Sequence, residues 1–95
     1  VSETSYSIAV WSRKTFGAVN PLDIVKRAAE EFDELRAAVA MTDGLAREET
    51  VAEEIADVVI VLCRLAREYD ADLWAAVEAK MTVNRTRRWH GWHHV

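Results

Sequence analysis

Apolar residues recur every three or four positions along most of this chain, which is the spacing of an amphipathic α-helix. Two stripes are long enough to define separate helices, Leu22-Val25-Phe32-Leu35-Val39 and Val51-Ile55-Val58-Leu62-Leu65. We expect the two stripes to press against each other, which would make these helices neighbours in the fold.

Polar residues and helix breakers set the limits of the helices. Asn20 is a favourable cap and Pro21 suits the first helical position, while Gly44 breaks the helix that they begin. Asp72 is the expected N-terminal cap of the last helix. Ser2 or Ser5 is the expected N-terminal cap of a short helix at the start of the chain. These signals predict an N-terminal segment over 1–19, which contains a short helix that ends at Gly17. Three longer helices follow over 20–41, 47–69 and 73–89, and residues 90–95 form a tail.

The composition favours a single helical domain over residues 1–95. Among 95 residues there are only three Gly and one Pro, which suits helices. The middle of the third helix, Val58 to Cys63, is apolar on all sides, and a helix of that kind is surrounded by protein. A chain this short can hardly surround it alone. We therefore predict an all-α antiparallel helical bundle that is completed by dimerisation.

Charge and cysteine content exclude several classes of protein. The net charge of −4 gives no argument for nucleic-acid binding. The longest uncharged apolar run is far shorter than the roughly 20 residues that span a bilayer. Cys63 is the single cysteine, so an intramolecular disulfide is excluded. We also see no signal-peptide pattern, and we expect a cytoplasmic protein with neither nucleic acid nor membrane as a partner.

Two acidic pairs carry the strongest chemical signal. Glu31 and Glu34 lie one helical turn apart, as do Glu54 and Asp57 on the next helix. Four carboxylates that meet between two helices repel one another and resist burial unless a cation neutralises them. Hard divalent cations prefer oxygen ligands. The spacing therefore predicts a magnesium site between the helices, with Mn²⁺ as the alternative ion, although such pairs are also common on solvated helix faces.

Basic residues mark one face of the last helix. Lys80, Asn84 and Arg87 are spaced by four and three residues and so line up, with Arg88 beside Asn84. The plain interpretation is a basic helix end that complements the helix dipole. The functional interpretation is a phosphate-binding face. Together with the acidic pairs, this face predicts a nucleoside triphosphate pocket.

Aromatic and histidine residues remain open to two interpretations. Trp11 and Phe16 are predicted as core residues, and the alternative is that one of them stacks on a planar ligand. His90, His93 and His94 fit a flexible tail better than a metal site, because no Glu-x-x-His spacing links them to the acidic pairs. The Gly-rich phosphate loops with GxxxxGK[ST] or GxGxxG are absent from the sequence.

Three segments in order resemble the MazG-like all-α nucleoside triphosphate pyrophosphohydrolases. They are Glu31-x-x-Glu34, Glu54-x-x-Asp57 with the apolar run after it, and Lys80-Met81-x-x-Asn84-Arg85-x-Arg87. The resemblance covers residues 11–89. It implies hydrolysis of a nucleoside or deoxynucleoside triphosphate to the monophosphate and pyrophosphate. It also implies subunits that pair into a four-helix core completed by dimerisation and that form dimers or tetramers.

The resemblance also implies residue roles. The positions matching Glu31, Glu34, Glu54 and Asp57 would hold Mg²⁺, and the basic positions would hold phosphates or sugar. Our own hypothesis on the mechanism is that Glu31 or Glu34 acts as the general base toward water. The segment from Trp11 to Gly17 resembles small phage-type members that act on purine deoxynucleotides, which makes Trp11 a candidate substrate-binding residue. The alternatives are a phosphoribosyl-ATP pyrophosphohydrolase, a non-catalytic helical dimerisation module, and a nucleotide-binding protein without turnover.

Overall fold

A computed structural model describes residues 2–41 and 44–87, with the backbone alone over 44–47. This part of the chain is helical and contains no strand, which confirms the predicted all-α class. None of its helices has the length and apolar character needed to cross a membrane. The helices are α1 (Ser5–Phe16), α2 (Pro21–Ala40), α3 (Gly44–Glu68) and α4 (Leu73–Thr86).

Side-chain caps explain where three of the helices begin. The side chain of Asn20 accepts a hydrogen bond from the Leu22 N–H at 2.8 Å, and that of Asp72 accepts one from the Ala75 N–H at 3.1 Å. Both caps confirm the sequence prediction. The prediction for α1 was wrong, because Thr4 caps that helix in a reciprocal capping box, and neither serine does.

Ser5 has a different role from the predicted one. Its hydroxyl is buried and accepts a hydrogen bond from the Leu73 N–H at 2.9 Å, which ties the start of α1 to the start of α4. Gly17 ends α1 as predicted, with a positive φ of 78° that a residue with a side chain rarely adopts.

The start of α3 is earlier than the predicted start at residue 47. The helix begins at Gly44, because Leu45, Ala46, Arg47 and Glu48 are all good helix formers and extend it backwards from the predicted start. The end of α4 at Thr86 is earlier than the predicted limit near residue 89, which lies outside the described residues together with the tail.

The face of α2 that packs on α3 is not the predicted stripe. Ile24, Ala28, Glu31 and Ala38 are buried, whereas Leu22, Val25, Phe32 and Val39 are between 48% and 76% exposed. The buried face is therefore rotated by one residue, which is about 100° around the helix. Two alanines on this face allow a close approach of the helices. As a consequence, Glu31 occupies the buried position that the stripe assigned to Phe32.

Helix α3 is the central element of the described fold. It packs along α2 and α1 and contacts α4 over a shorter stretch. Val58 and Cys63 of α3 are buried, and the apolar residues between them are half-buried within a single chain. Cys63 is thus a core residue as predicted, and burial raises the pKa of its thiol. This packing places one face of α3 opposite both α1 and α2.

Candidate active site

Carboxylates from α2 and α3 meet at the seam between these helices. Oxygen atoms of Glu31, Glu54 and Asp57 all lie within 4.8 Å of one another, and we call these three residues the carboxylate cluster. Glu31 is buried, Glu54 is half-buried and Asp57 is exposed. Because residues 54 and 57 lie one turn apart on α3, both side chains project toward Glu31 on α2.

Glu34 lies beside the cluster without belonging to its tight group. Its side chain is exposed and lies within hydrogen-bonding reach of the Glu31 carboxyl. Its charge also acts on Glu54. The structure thus brings the four predicted metal ligands into one neighbourhood, with three of them in closest proximity.

The surroundings disfavour the charged forms of two cluster members. Burial raises the pKa of Glu31, and the hydrogen bond with Glu34 and the charges of Glu34 and Asp57 raise it further, against the opposing effect of Arg27. Burial also raises the pKa of Glu54, followed by the charges of Glu34 and Asp57. Such raised values are typical of carboxylates that are assembled to bind a cation.

Two oxygen atoms in the cluster have unmet bonding capacity. Within the described residues, Glu31 Oε2 and Glu54 Oε2 are shielded from solvent and have no hydrogen-bond partner. Buried polar atoms without a partner are uncommon, because leaving one unsatisfied costs about 1–3 kcal/mol. Oxygen atoms with negative charge suit a hard divalent cation. The donor set therefore fits the ion that the sequence predicts.

Arg27 is a charged neighbour of the cluster that the sequence analysis missed. A guanidinium nitrogen of Arg27 lies 2.7 Å from Glu31 Oε1, and another lies 3.2 Å from Glu30 Oε2. The i,i+4 spacing of Arg27 and Glu31 on a helix is a signal that could have indicated this ion pair. Its side chain is 60% exposed and so remains accessible to a ligand.

A cleft of about 460 Å³ opens next to the cluster. Glu31 and Asp57 form its acidic end. Apolar and aromatic side chains form its walls, and Arg64 adds a second cation. The residues that line it come from α1, α2, α3 and the loop between α1 and α2: Trp11, Ser12, Phe16, Val19, Asp23, Ile24, Arg27, Glu31, Asp57, Ile60, Val61 and Arg64.

Trp11 and Phe16 belong to the wall of the cleft, so the prediction that they are core residues was wrong. They are 53% and 67% exposed. Their rings meet edge to face with centroids 5.8 Å apart. The alternative interpretation, in which one of them stacks on a planar ligand, agrees with this placement.

The basic face predicted on the last helix lies apart from the cleft. Lys80 and Asn84 belong to α4 and Arg87 caps its C-terminal end, and none of these three lines the cleft. Arg88 lies outside the described residues, as do the three histidines. The cations found at the cleft are Arg27 and Arg64 instead. The phosphate-binding role of the α4 residues stays a prediction.

Comparison with known proteins identifies the family of the chain. A family model for dATP/dGTP pyrophosphohydrolase matches residues 5–95. A dATP/dGTP diphosphohydrolase of Cyanophage S-2L is 32% identical over 89 residues, covering 94% of this chain and 77% of the relative. No solved structure matches the chain significantly. The chain therefore belongs to the dATP/dGTP pyrophosphohydrolase family, which confirms the prediction of a nucleoside triphosphate pyrophosphohydrolase.

Proposed function

We propose that this chain hydrolyses dATP and dGTP to the monophosphate and pyrophosphate with the help of a divalent cation, Mg²⁺ or Mn²⁺. The observation that carries the proposal is the carboxylate cluster at one end of the cleft, where two buried oxygens have no partner among the described residues. The names of the family and of the phage relative, both of which specify dATP and dGTP, support this proposal.

Glu31, Glu54 and Asp57 would hold the cation, and Glu34 would lie beside it. Three acidic oxygens within 4.8 Å of one another form a strongly negative site, and this is the environment that a hard divalent ion prefers. A bound ion would neutralise the carboxylates and withdraw charge from the phosphate oxygens of a substrate.

Glu34 is the carboxylate that we propose as general base. It neighbours the cluster but lies outside its tight group, and its exposed side chain is accessible to water. Glu34 would accept a proton from a water molecule whose oxygen attacks the α-phosphorus. The bond between that phosphorus and the bridging oxygen breaks, and pyrophosphate leaves. Arg27 at the acidic end of the cleft would offset the charge that develops on the phosphates.

Pyrophosphate release from a panel of nucleotides tests the proposal directly. The panel contains the four standard deoxynucleotides, ATP, GTP and phosphoribosyl-ATP, each with MgCl₂ and with EDTA. We expect release from dATP and dGTP only when the cation is present. Release without a cation would contradict the metal site, binding without release would indicate a non-catalytic nucleotide binder, and turnover of phosphoribosyl-ATP alone would favour the alternative enzyme.

Trp11 is proposed to contact the base of the nucleotide. We expect Trp11→Ala to raise KM about tenfold with a smaller change in kcat, since base–aromatic stacking is worth about 1–3 kcal/mol. Steady-state kinetics with dGTP and dATP would measure this effect. Trp74→Ala is the matched control, because Trp74 is 42% exposed on α4 and does not line the cleft. Equal effects of both substitutions would argue against a base contact.

We propose that the active form is a homodimer, formed by a second copy that covers the outer apolar surface. Phe32, Val39 and Ile55 are about half exposed, and no residue of α4 is buried. The radius of gyration is 15.5 Å, whereas a compact domain of this length measures about 12 Å. A second copy would also bring the polar face of α4, with Lys80 and Asn84, into an interface where these residues could serve as phosphate ligands.

Light scattering coupled to gel filtration tests the dimer. We expect a mass of about twice the 10.8 kDa of one chain for the wild type. Phe32→Glu should shift it toward a single chain, since burying an unpaired charge in an apolar interface is costly. Lys26→Glu places a carboxylate elsewhere on the exposed surface of α2 and should leave the mass unchanged. A monomeric wild type would contradict this part of the proposal.

A further inference from the structure

Arg64 is a buried cation in the wall of the cleft. The residue is only 3% exposed, yet it is one of the side chains that line the cavity. An arginine at such a position is costly unless its charge and its N–H groups are matched by partners. The partners of Arg64 therefore indicate whether its role is limited to packing.

The hydrogen bonds within the protein use only part of the donor capacity of Arg64. One terminal nitrogen donates to the Gly17 carbonyl at 2.6 Å, and the other donates to the Ser12 hydroxyl at a long 3.4 Å. Nε lies 3.9 Å from Glu68 Oε2 and has no hydrogen-bond partner among the described residues. A guanidinium has five N–H donors. Each terminal nitrogen therefore keeps a second N–H beyond these hydrogen bonds, on a side chain that lines the cleft, whereas Nε faces Glu68 and is shielded from solvent.

The position of Arg64 relative to the cluster matches the length of a nucleoside. Asp57 and Arg64 are seven residues apart on the same face of α3, which is a rise of about 10 Å. Ile60 and Val61 occupy the same face between them, and both line the cleft. A substrate with its phosphates at the acidic end would lay its sugar on this apolar floor and bring the edge of its base toward Arg64.

We propose that Arg64 is a specificity-determining residue that donates hydrogen bonds to a purine and favours guanine over adenine. Guanine presents two neighbouring acceptors, N7 and O6, whereas adenine presents one acceptor and an amino group that is itself a donor. A fixed cation with spare donors therefore binds guanine better. The inference rests on the proposed function, because it assumes a purine deoxynucleotide in the cleft.

The contact with Gly17 keeps Arg64 in place for this task. The carbonyl of Gly17 directly follows α1, so this hydrogen bond fixes both the guanidinium and the end of the aromatic wall. The same contact means that Arg64 also contributes to packing. A test must therefore separate base selection from a general loss of structure.

The ratio of kcat/KM for dGTP to kcat/KM for dATP distinguishes a change in base selection from a general loss of structure. We expect a wild-type ratio of about ten or more, and about a tenfold lower ratio for Arg64→Met. Arg64→Gln should move the ratio further toward dATP, since an amide pairs with the N6 and N7 edge of adenine. Arg64→Lys keeps the positive charge but has fewer N–H donors, so we expect a ratio between those of the wild type and Arg64→Met. This conservative variant tests the inference if the other two variants do not fold.

Arg67→Met is the matched control. Arg67 lies on the same helix and also contacts α1, with its guanidinium 4.7 Å from the centre of the Tyr6 ring, but it does not line the cleft. Its loss should leave the ratio unchanged. A wild-type ratio near one, or equal losses for both substrates in the Arg64 variants, would overturn the inference. A wild type that hydrolyses neither nucleotide would instead overturn the proposed function.

Discussion

Glu54→Gln is expected to lower the kcat of dGTP and dATP hydrolysis by about 10³-fold or more in saturating Mg²⁺. Glu54 contributes an oxygen to the carboxylate cluster, and its Oε2 is shielded from solvent without a partner among the described residues. An amide of the same shape removes the negative charge that a divalent ion requires. A metal ion contributes several kcal/mol of transition-state stabilisation, which corresponds to a rate factor of this size.

The same substitution should stabilise the protein when no divalent cation is present. Because burial and neighbouring charges raise the pKa of Glu54, the folded state disfavours its ionised form, and glutamine removes that charge. We expect Glu54→Gln to show unchanged helical circular dichroism and a higher melting temperature than the wild type in EDTA. Lower activity combined with higher stability is the signature of a site that is assembled for a ligand.

Glu53→Gln is the matched control for this prediction. Glu53 precedes Glu54 on α3, is exposed and lies outside the carboxylate cluster. Its loss should change kcat by less than about threefold, since a surface charge has only a weak effect. Asp57→Asn should repeat the loss of activity seen with Glu54→Gln. Near-wild-type turnover of either cluster variant would remove the argument for a metal site.

Local signals in the sequence were sufficient for most of the fold. Asn20 and Asp72 cap their helices as predicted, because a side-chain oxygen next to a free backbone N–H acts within a few residues of the chain. The i,i+3 spacing of the acidic pairs placed Glu54 and Asp57 side by side for the same reason. Interactions of this kind depend on helix geometry alone and so can be deduced without tertiary structure.

Tertiary packing decided what the sequence did not reveal. The stripe of large side chains predicted Phe32 at the helix seam, but the alanines Ala28 and Ala38 pack closer and turn Glu31 inward. The placement of Arg64 in the cleft wall involves a hydrogen bond to Gly17, which is 47 residues away along the chain. A cleft built from three helices and a loop has no local signature. The sequence analysis therefore did not identify Arg27 and Arg64 as the cations of the cleft, and it assigned phosphate binding to the basic face of the last helix instead.

The stability of the cation-free protein should fall as pH rises above the ordinary carboxyl range. The folded state raises the pKa of both Glu31 and Glu54 above the ordinary value of 4.5. Between that value and the raised values, the folded state binds more protons than the unfolded state, so the free energy of unfolding decreases with pH. The contribution of these groups is fully present below about pH 4.5 and is lost as pH passes the raised values.

A divalent cation should reverse this dependence. It binds the deprotonated carboxylates and therefore competes with protons, so its affinity increases with pH. At a concentration about 100 times its dissociation constant it stabilises the folded state by about 2.7 kcal/mol, which corresponds to a rise of roughly 10–20 °C in melting temperature for a domain of this size.

Melting curves at pH 5 and pH 8, each in MgCl₂ and in EDTA, measure the effect. We expect a clearly larger shift from Mg²⁺ at pH 8, and a small shift at either pH for Glu54→Gln. An equal or larger shift at pH 5 would show that the ion does not bind at Glu31 and Glu54, because protonation of these two carboxylates must lower their affinity for the ion.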